Sequence, residues 1–436
     1  MDRLKTSSPA PAQGAAGNDD MLPQRGIGMT LLVLLACISA ALHVGKLPPA
    51  VPALRQALGI GLVEAGVLLA VVQVAGMTLG LILGLMTNAL GLRRSVSIGL
   101  GLLATASALG AVIPVGPSAL ALLIVLRVIE GVGFLLAVTP APALVRAFAP
   151  RGTEKLMLGL WSAYMPAGMA LALLFGPVCI AWLGWRGWWA LPAALSAGVA
   201  LAVRFYLPAL SPHPPPSSRL GGTPLLHTWL GSLRQTLRAR APRALALSFG
   251  VYAAQWIVMI GFLPVICVEA GLSTGHIAVL TAVVAAMNIV GNVLGGHFLQ
   301  HGVAPPLLLR WGFVMMALSA VAAYAQVPHV LWLGAGLRYF AVCLFSLSGG
   351  MVPATLFMLG VRLAPAPALV SSTVGLMMQV SALGQFLAPP LAAWLAHRVG
   401  GWQWTWAVTS SCALVGIAGA ARLRACWRLA QQESVA

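Results

Sequence analysis

Long apolar stretches repeat from one end of the chain to the other, and each is interrupted by a turn or a short basic cluster. A helix needs about 20 apolar residues to cross the hydrocarbon core of a bilayer, and 29–44 and 97–113 contain no Asp, Glu, Lys or Arg. Inside lipid every backbone amide must be paired within its own segment, so such stretches are helices. The pattern therefore predicts an all-α membrane protein. Its twelve predicted spans are 27–46, 62–87, 95–114, 118–145, 156–183, 187–208, 244–268, 274–300, 306–326, 329–360, 368–397 and 403–424.

A polar, proline-rich stretch near the middle of the chain separates six spans from the next six. Within it, Leu226, Trp229, Leu230, Leu233 and Leu237 recur at helical spacing beside arginines. This spacing predicts an amphipathic helix on the anionic inner leaflet, with a solvated connector helix as the alternative. The predicted domains are a disordered cytoplasmic N-terminal tail over 1–26, a six-helix bundle over 27–208, a linker over 209–243, a second six-helix bundle over 244–424 and a cytoplasmic C-terminal tail over 425–436.

The charge distribution sets the expected orientation. Hydrophobic residues make up 60% of the chain and charged residues 8%, with a formal charge of +17. Most of the 25 Lys and Arg residues fall on the segments that share a side with both termini and the linker. Basic residues concentrate on the cytoplasmic side of membrane proteins, so both termini are predicted to be cytoplasmic in a multi-pass inner-membrane protein. Because the basic residues are scattered between apolar spans and form no single face, they do not indicate a nucleic-acid partner.

The two halves repeat one another at an offset of 211 positions. At this offset Gly84 meets Gly295 and Arg127 meets Arg338. The arginines are the stronger evidence, since charges within membrane helices are rare. Repeated halves related by an axis along the membrane normal are a known transporter construction.

Several motifs in order resemble the major facilitator superfamily. Residues 84–94, GLMTNALGLRR, are similar to its signature G-x-x-x-D-R-x-G-R-R/K, and 127–133, RVIEGVG, to its R-x-x-Q-G-x-G. The segment 183–186, LGWR, and the prolines Pro48 and Pro52 before 58–59 also resemble family features. The resemblance covers nearly all of the chain outside the N-terminal tail. It implies twelve transmembrane helices in two pseudo-symmetric six-helix bundles around a central cavity. It also implies secondary transport by alternating access, and the chain looks somewhat like the cyanate/nitroimidazole and organic-anion branches.

The signature motif departs from the family at two positions, where Asn88 replaces the aspartate and Ala89 the arginine. In the family that carboxylate helps to latch the two halves on the cytoplasmic side. An amide can accept a hydrogen bond from a helix N-terminus without the charge contribution, so we expect a weaker inward gate. The glycines let another helix approach closely. The predicted gating and packing residues are Gly84, Asn88, Gly91, Arg93, Arg94, Gly131 and Gly133.

Arg127 and Arg338 are the strongest candidates for substrate binding. Each lies roughly nine residues into a predicted span, which is about 13 Å at 1.5 Å per residue. This depth is near the midplane, where transporter sites lie, and a charge there is costly unless it faces a polar cavity or a partner. Because guanidinium binds carboxylate bidentately, the pair predicts a clamp for an anion. The alternative for Arg127 is a structural ion pair with Glu130, three residues on.

Glu130 is the one carboxylate predicted to lie well inside a span, which makes it the candidate for proton coupling; a permanently ionised partner of Arg127 is the equal alternative. His43 and Lys46 are predicted to line an outer vestibule, with a snorkelling lysine as the alternative. Tyr164, Gln255, Asn288 and Gln379 are further predicted substrate contacts. Each of these four could instead form an interhelical hydrogen bond.

The sequence contains no catalytic motif, no P-loop and no C-x-x-C pair among its six Cys. We therefore expect no enzyme activity, no catalytic residue, no metal and no cofactor. The predicted function is secondary active transport of a small solute, an organic anion, by a monomer in the lipid bilayer, with proton coupling left open. A multidrug exporter of the same superfamily is the first alternative, and a non-transporting sensor or membrane-embedded enzyme is the second.

Overall fold

The structure is a computed structural model that describes residues 21–60, 62–116, 118–210, 225–269, 274–325, 334–399 and 401–433. Every regular element in these ranges is helical. The predicted disordered tail, apart from its last residues, and the proline-rich part of the linker lie outside the described residues.

The helices of the first half and the linker are α1 (Met21–Gly45), α2 (Leu47–Leu58), α3 (Leu62–Leu90), α4 (Leu92–Val112), α5 (Ala119–Val138), α6 (Ala141–Phe148), α7 (Glu154–Ser162), α8 (Tyr164–Tyr206) and α9 (Leu225–Arg238). Those of the second half are α10 (Arg240–Glu269), α11 (Thr274–Gln300), α12 (Pro305–Tyr324), α13 (Ala335–Arg362), α14 (Val370–Val399) and α15 (Thr405–Glu433). Short 3-10 turns precede α14 and α15.

Membrane-spanning helices account for most of the described chain. Ten are long and apolar enough to cross a bilayer. One of them contains α8, which breaks into two arms at Gly184 (φ 67°, ψ 173°), a left-handed conformation that glycine adopts readily. Helix α3 adds an apolar stretch over Val71–Thr87. Counting both arms of α8 and adding α3 gives the twelve spans that the sequence predicts.

The last helix is longer than predicted. Helix α15 continues to Glu433, whereas the sequence prediction placed a tail from residue 425. After Gly419 the chain contains no Gly or Pro before the helix ends. Its Ala, Arg, Leu and Gln residues are good helix formers, so nothing in the sequence stops the helix at the membrane boundary.

The two ends of the helix bundle can be distinguished by local contacts. Arg93 at the start of α4 donates to the Leu207 carbonyl just after α8, at 3.2 Å. Gln300 at the end of α11 donates to the carbonyl of Gly152, which precedes α7. We call this end, where α9 also lies, the linker face, and the other end the opposite face.

Helices α3 and α14 form the main contact between the halves. A Cβ on Gly84 would lie 2.6 Å from the Ser371 carbonyl oxygen, and one on Gly80 would lie 2.8 Å from the Gln379 Cβ. Only glycine permits such an approach. A second contact joins α7 to α11, where Gly159 meets the backbone of Gly296. The halves are therefore packed tightly against each other toward the linker face.

The linker helix α9 packs on both halves rather than lying only on a membrane surface. It contacts α3, α10 and α14, and its buried Thr236 hydroxyl lies 3.1 Å from the Ser372 hydroxyl of α14. Arg234, Leu237 and Arg238 are exposed on the other side of the helix. The amphipathic pattern is thus used partly for packing against the protein.

Candidate substrate cavity and buried charge network

A cavity lies between the two halves, on the side of the α3–α14 contact that is nearer the opposite face. On α3 its wall runs over Val72, Gln73 and Gly76, which precede the closely packed Gly80 and Gly84. Its polar lining groups are amides, hydroxyls and one indole, and among the described lining residues none is charged. These groups belong to Gln73, Ser162, Tyr164, Tyr252, Trp256, Asn288, Ser381 and Gln385.

Aromatic rings from both halves close the cavity toward the linker face. The Phe357 ring of α13 lies edge-on to the Trp161 ring of α7, with 4.6 Å between centroids, and to the Phe249 ring of α10 at 5.1 Å. Trp161 also stacks on Tyr164 at 5.2 Å, and Phe249 stacks on Tyr252 at 6.0 Å. Edge-to-face and offset pairs of this kind add to the stability of apolar packing, so the rings form a floor that spans the domain interface.

Amide side chains connect the cavity wall to the contact between the halves. Asn288 Nδ2 donates to the Tyr252 hydroxyl at 3.2 Å and to the Ser346 carbonyl at 2.9 Å. Asn292 Nδ2 donates to Asn288 Oδ1 at 3.1 Å, and Asn292 Oδ1 accepts from Ser162 of the first half at 2.6 Å. Hydrogen bonds therefore connect Asn288 through Asn292 to Ser162 at the domain interface.

Two further polar features belong to the cavity. Gln73 Nε2 donates to Gln385 Oε1 at 3.2 Å, which joins α3 to α14 across the cavity. The indole Nε1 of Trp256 is buried and has no hydrogen-bond partner within the described chain. A buried donor without a partner costs about 1–3 kcal/mol, so this N–H is suited to a solute that offers an acceptor.

Behind the cavity wall, the first half contains a fully buried charge network. Glu130 on α5 accepts from Lys46 Nζ at 2.5 Å through one carboxylate oxygen and from Arg127 Nη1 at 2.6 Å through the other. His43 Nδ1 lies 3.5 Å from the same carboxylate. The four side chains are 0–2% exposed. Lys46 and Arg127 together carry one more positive charge than Glu130 compensates.

Hydroxyl and backbone groups tie this network to four helices. Lys46 Nζ donates to Ser107 Oγ of α4 at 2.7 Å, and that hydroxyl donates to the Trp189 carbonyl of α8 at 2.7 Å. Lys46 also lies 4.8 Å from the centroid of the Trp189 ring. His43 Nε2 is 2.8 Å from Ser196 Oγ of α8. The network therefore holds α1, α4, α5 and α8 together.

The structure does not bring the two predicted clamp arginines together. The Arg127 side chain turns into the first bundle, toward Glu130 one helical turn away and the His43 carbonyl at 2.6 Å. Arg338 is only the fourth residue of α13, because that helix begins at Ala335 and not at 329. It is half-buried and donates to the Ala323 carbonyl of α12 at 2.7 Å. Neither side chain is among the described residues that line the cavity.

Four other predicted site residues also take positions away from the cavity. His43 and Lys46 do not line a vestibule, because the carboxylate of Glu130 and the hydroxyls described above hold them inside the bundle. Gln379 Oε1 accepts from the Leu81 amide at 3.2 Å and fixes α14 on α3. Gln255 is buried, and its amide donates to a carbonyl of its own helix.

Tyr164 and Asn288 do line the cavity. Gln73, Gln385 and Tyr252 also line the cavity and were not predicted. A signal for the two glutamines is present, since each is an amide within a mostly apolar span, as Gln379 is. Spacing alone does not show which face of such a helix meets the cavity, because these helices are apolar on all sides.

The motif glycines have distinct places. Gly131 lines the cavity, and a Cβ on it would lie 2.7 Å from the Val72 carbonyl oxygen of α3. Gly133 packs against Gly99 of α4. Gly91 has a φ of 85° where α3 ends and α4 begins, a conformation that favours glycine.

The two arginines of the signature motif, Arg93 and Arg94, differ in their contacts. Arg93 holds the end of α8, as described above, whereas Arg94 is exposed. The side chain of Asn88 lies outside the described part of the structure.

The chain is similar to known proteins in family, sequence and fold. The sequence model of the Major Facilitator Superfamily matches residues 29–389. The chain is 27% identical over 398 residues to the cyanate transport protein CynX of Escherichia coli K12, an alignment that covers 89% of this chain and 95% of that protein. A solved structure of the transporter FucP in the outward conformation superposes with a TM-score of 0.71 at 18% identity, covering 91% of this chain and 98% of that one. A variant of the E. coli fucose:proton symporter FucP gives the same values. The likeness to these structures shows a common fold.

Proposed function

Because the chain belongs to the Major Facilitator Superfamily, we propose that it is a secondary active transporter that carries a small anion through the central cavity. The observation that carries this proposal is the buried charge network with its excess positive charge directly behind the cavity wall. Gly131 of the wall follows Glu130 in sequence, and Val44 of the wall lies between His43 and Lys46. In a low-dielectric interior a fixed positive charge acts over several ångströms, so it favours an anion in the adjacent cavity.

The groups of the cavity itself are consistent with an anion. The unpartnered indole N–H of Trp256 and the hydroxyl of Tyr164 offer donors, and the described lining contains no carboxylate to repel negative charge. A cationic drug finds no acidic partner among these residues. The similarity to a protein named for cyanate transport points to the same class, a compact monovalent anion.

We further propose that Glu130 serves as a fixed charge and does not carry protons. It is in contact with two cations at 2.5 and 2.6 Å, and losing its charge leaves both uncompensated inside the bundle. A permanently ionised partner of Arg127 is one of the two roles that the sequence predicts for Glu130. The excess charge of Lys46 and Arg127 then remains constant through the transport cycle and attracts the anion in every state.

The asymmetry of Lys and Arg along the sequence supports a cytoplasmic linker face. With that orientation, the tight α3–α14 and α7–α11 contacts close the cytoplasmic side, and the cavity lies toward the outside. Alternating access then requires these glycine contacts to separate.

The proposal can be tested with purified protein in liposomes that are preloaded with unlabelled cyanate. External radiolabelled cyanate should enter by exchange, and formate should compete with it. The cations tetraphenylphosphonium and ethidium should neither compete nor enter. Protein-free liposomes measure passive entry. Uptake of the cations without uptake of cyanate or formate would contradict the proposal and favour multidrug transport.

A further inference from the structure

A second polar cleft lies on the linker face, separate from the central cavity. It opens between α6 and α7 of the first half and α12, α13 and α15 of the second. Six cationic side chains line it together with Trp427. They are Arg146, Lys155, Arg310, Arg362, Arg424 and Arg428.

These cations are not neutralised by neighbouring carboxylates. Glu154 is the one acidic residue in the described lining, and none of the ion pairs found in the described chain involves any of the six cations. The Arg362 guanidinium lies 5.8 Å from the centroid of the Trp427 ring, a contact that orients the guanidinium without satisfying its charge. Like charges that converge in a cleft repel one another, and a bound anion relieves that repulsion.

The cationic side chains of the cleft are suited to binding a phosphate group. Five of the six cations are arginines, whose planar guanidinium matches phosphate oxygens bidentately. The cleft sits where membrane helices end, and Trp427 is a residue type enriched at the membrane–water interface. Basic pockets between membrane helices on the cytoplasmic side are suited to anionic lipid headgroups.

We propose that this cleft binds the phosphate headgroup of an anionic lipid from the cytoplasmic leaflet. A phosphate group from water has the same chemistry, and the test below separates the two sources. The lipid source is favoured because the cleft lies beside membrane-spanning helices, so that the acyl chains of a bound lipid can stay in the bilayer.

The site bridges the two halves of the protein. Arg146 of α6 and Lys155 of α7 belong to the first half, and the other four cations belong to the second half. The Lys155 carbonyl oxygen lies 3.2 Å from the position of a Cβ on Gly296 of α11, so Lys155 is part of the α7–α11 contact. Opening the linker face must separate Lys155 from the four arginines of the second half. A bound headgroup therefore stabilises the state in which the linker face is closed. This effect on the transport cycle rests on the proposed alternating access. The proposed lipid-binding site does not depend on it.

Native mass spectrometry of the detergent-purified protein tests the binding. The protein is mixed with equal amounts of phosphatidylglycerol and phosphatidylcholine, and the retained lipid is counted. The wild type should retain phosphatidylglycerol preferentially. The double variant Arg424→Ala, Arg428→Ala should bind it at least about tenfold more weakly, as expected for lost charged hydrogen bonds. The matched control is Arg422→Ala, an exposed arginine of the same helix that does not line the cleft.

Three results would overturn the lipid site. The first is equal retention of phosphatidylglycerol by the double variant, and the second is equal retention of phosphatidylcholine by the wild type. The third is displacement of phosphatidylglycerol by millimolar inorganic phosphate, which would identify a soluble anion as the ligand. In liposomes, phosphatidylglycerol should slow exchange by the wild type and leave the double variant unaffected. An equal effect on both would refute the bridging role. The binding measurement does not depend on transport, so its result stands even if the protein does not carry cyanate.

Discussion

Replacing Glu130 by Gln is the most informative perturbation of the buried network. The substitution keeps the size of the side chain and removes its charge. One oxygen of Glu130 accepts from Lys46 and the other from Arg127. Glutamine has a single oxygen, so its NH₂ group must face one of these two donors. The variant therefore loses a hydrogen bond and leaves two buried cations without a counter-charge.

The expected size of the effect follows from burial. Lys46 is 0% exposed and Arg127 is 2% exposed, so water cannot replace the carboxylate. Removing one partner of a buried ion pair costs about 3–5 kcal/mol. Lys46→Met should cost less, because it leaves Glu130 and Arg127 as a neutral pair. Since Glu130 contacts both cations, the effects of Glu130→Gln and Lys46→Met should not be additive in the double variant.

The assay is thermal unfolding of the purified protein in detergent, followed by tryptophan fluorescence. The midpoint should fall by several degrees in Glu130→Gln and by less in Lys46→Met. Glu154→Gln is the control, since this carboxylate is partly exposed at the start of α7 and should leave the midpoint unchanged. An unchanged midpoint for Glu130→Gln would refute the fixed-charge account. So would a variant of normal stability that keeps exchange and loses only pH-gradient-driven uptake, because that result identifies a proton carrier.

Three further predictions concern the cavity and the domain contact. Trp256→Phe keeps an aromatic ring but removes the N–H together with the pyrrole part of the indole, so cyanate exchange should need a concentration higher by roughly tenfold or more if a hydrogen bond to a charged group is lost. Trp311→Phe, at an exposed position, should match the wild type, and wild-type affinity of Trp256→Phe would exclude the contact. Arg338→Ala should leave the concentration dependence of exchange unchanged, because this arginine binds a backbone carbonyl of α12; a large loss of affinity would restore the arginine clamp. Gly84→Val should abolish exchange, since its Cβ would lie 2.6 Å from the Ser371 carbonyl oxygen. Gly101→Val should not abolish exchange, because a Cβ there meets open space. Full exchange by Gly84→Val would show that the α3–α14 contact is dispensable.

The spans could be predicted from the sequence because each apolar run is long enough to define a membrane helix by itself. The Arg127–Glu130 pair could also be predicted as an alternative, since the two residues are one helical turn apart. The contact of Glu130 with Lys46 could not be predicted, because 84 residues separate them and only the packing of α1 against α5 brings them together. Arg338 was placed too deep because an apolar run does not reveal where its helix begins. In the same way, the sequence does not show which side of an all-apolar helix faces the cavity, so Gln73 and Gln385 were missed.

We propose that the neutral cavity beside a fixed positive charge carries a small anion. The most direct measurement is exchange of radiolabelled cyanate across liposomes that contain the wild type or Trp256→Phe, with tetraphenylphosphonium uptake measured in parallel. We expect saturable cyanate exchange that Trp256→Phe weakens, and no uptake of the cation. Cation uptake with no cyanate exchange above protein-free liposomes would contradict anion transport.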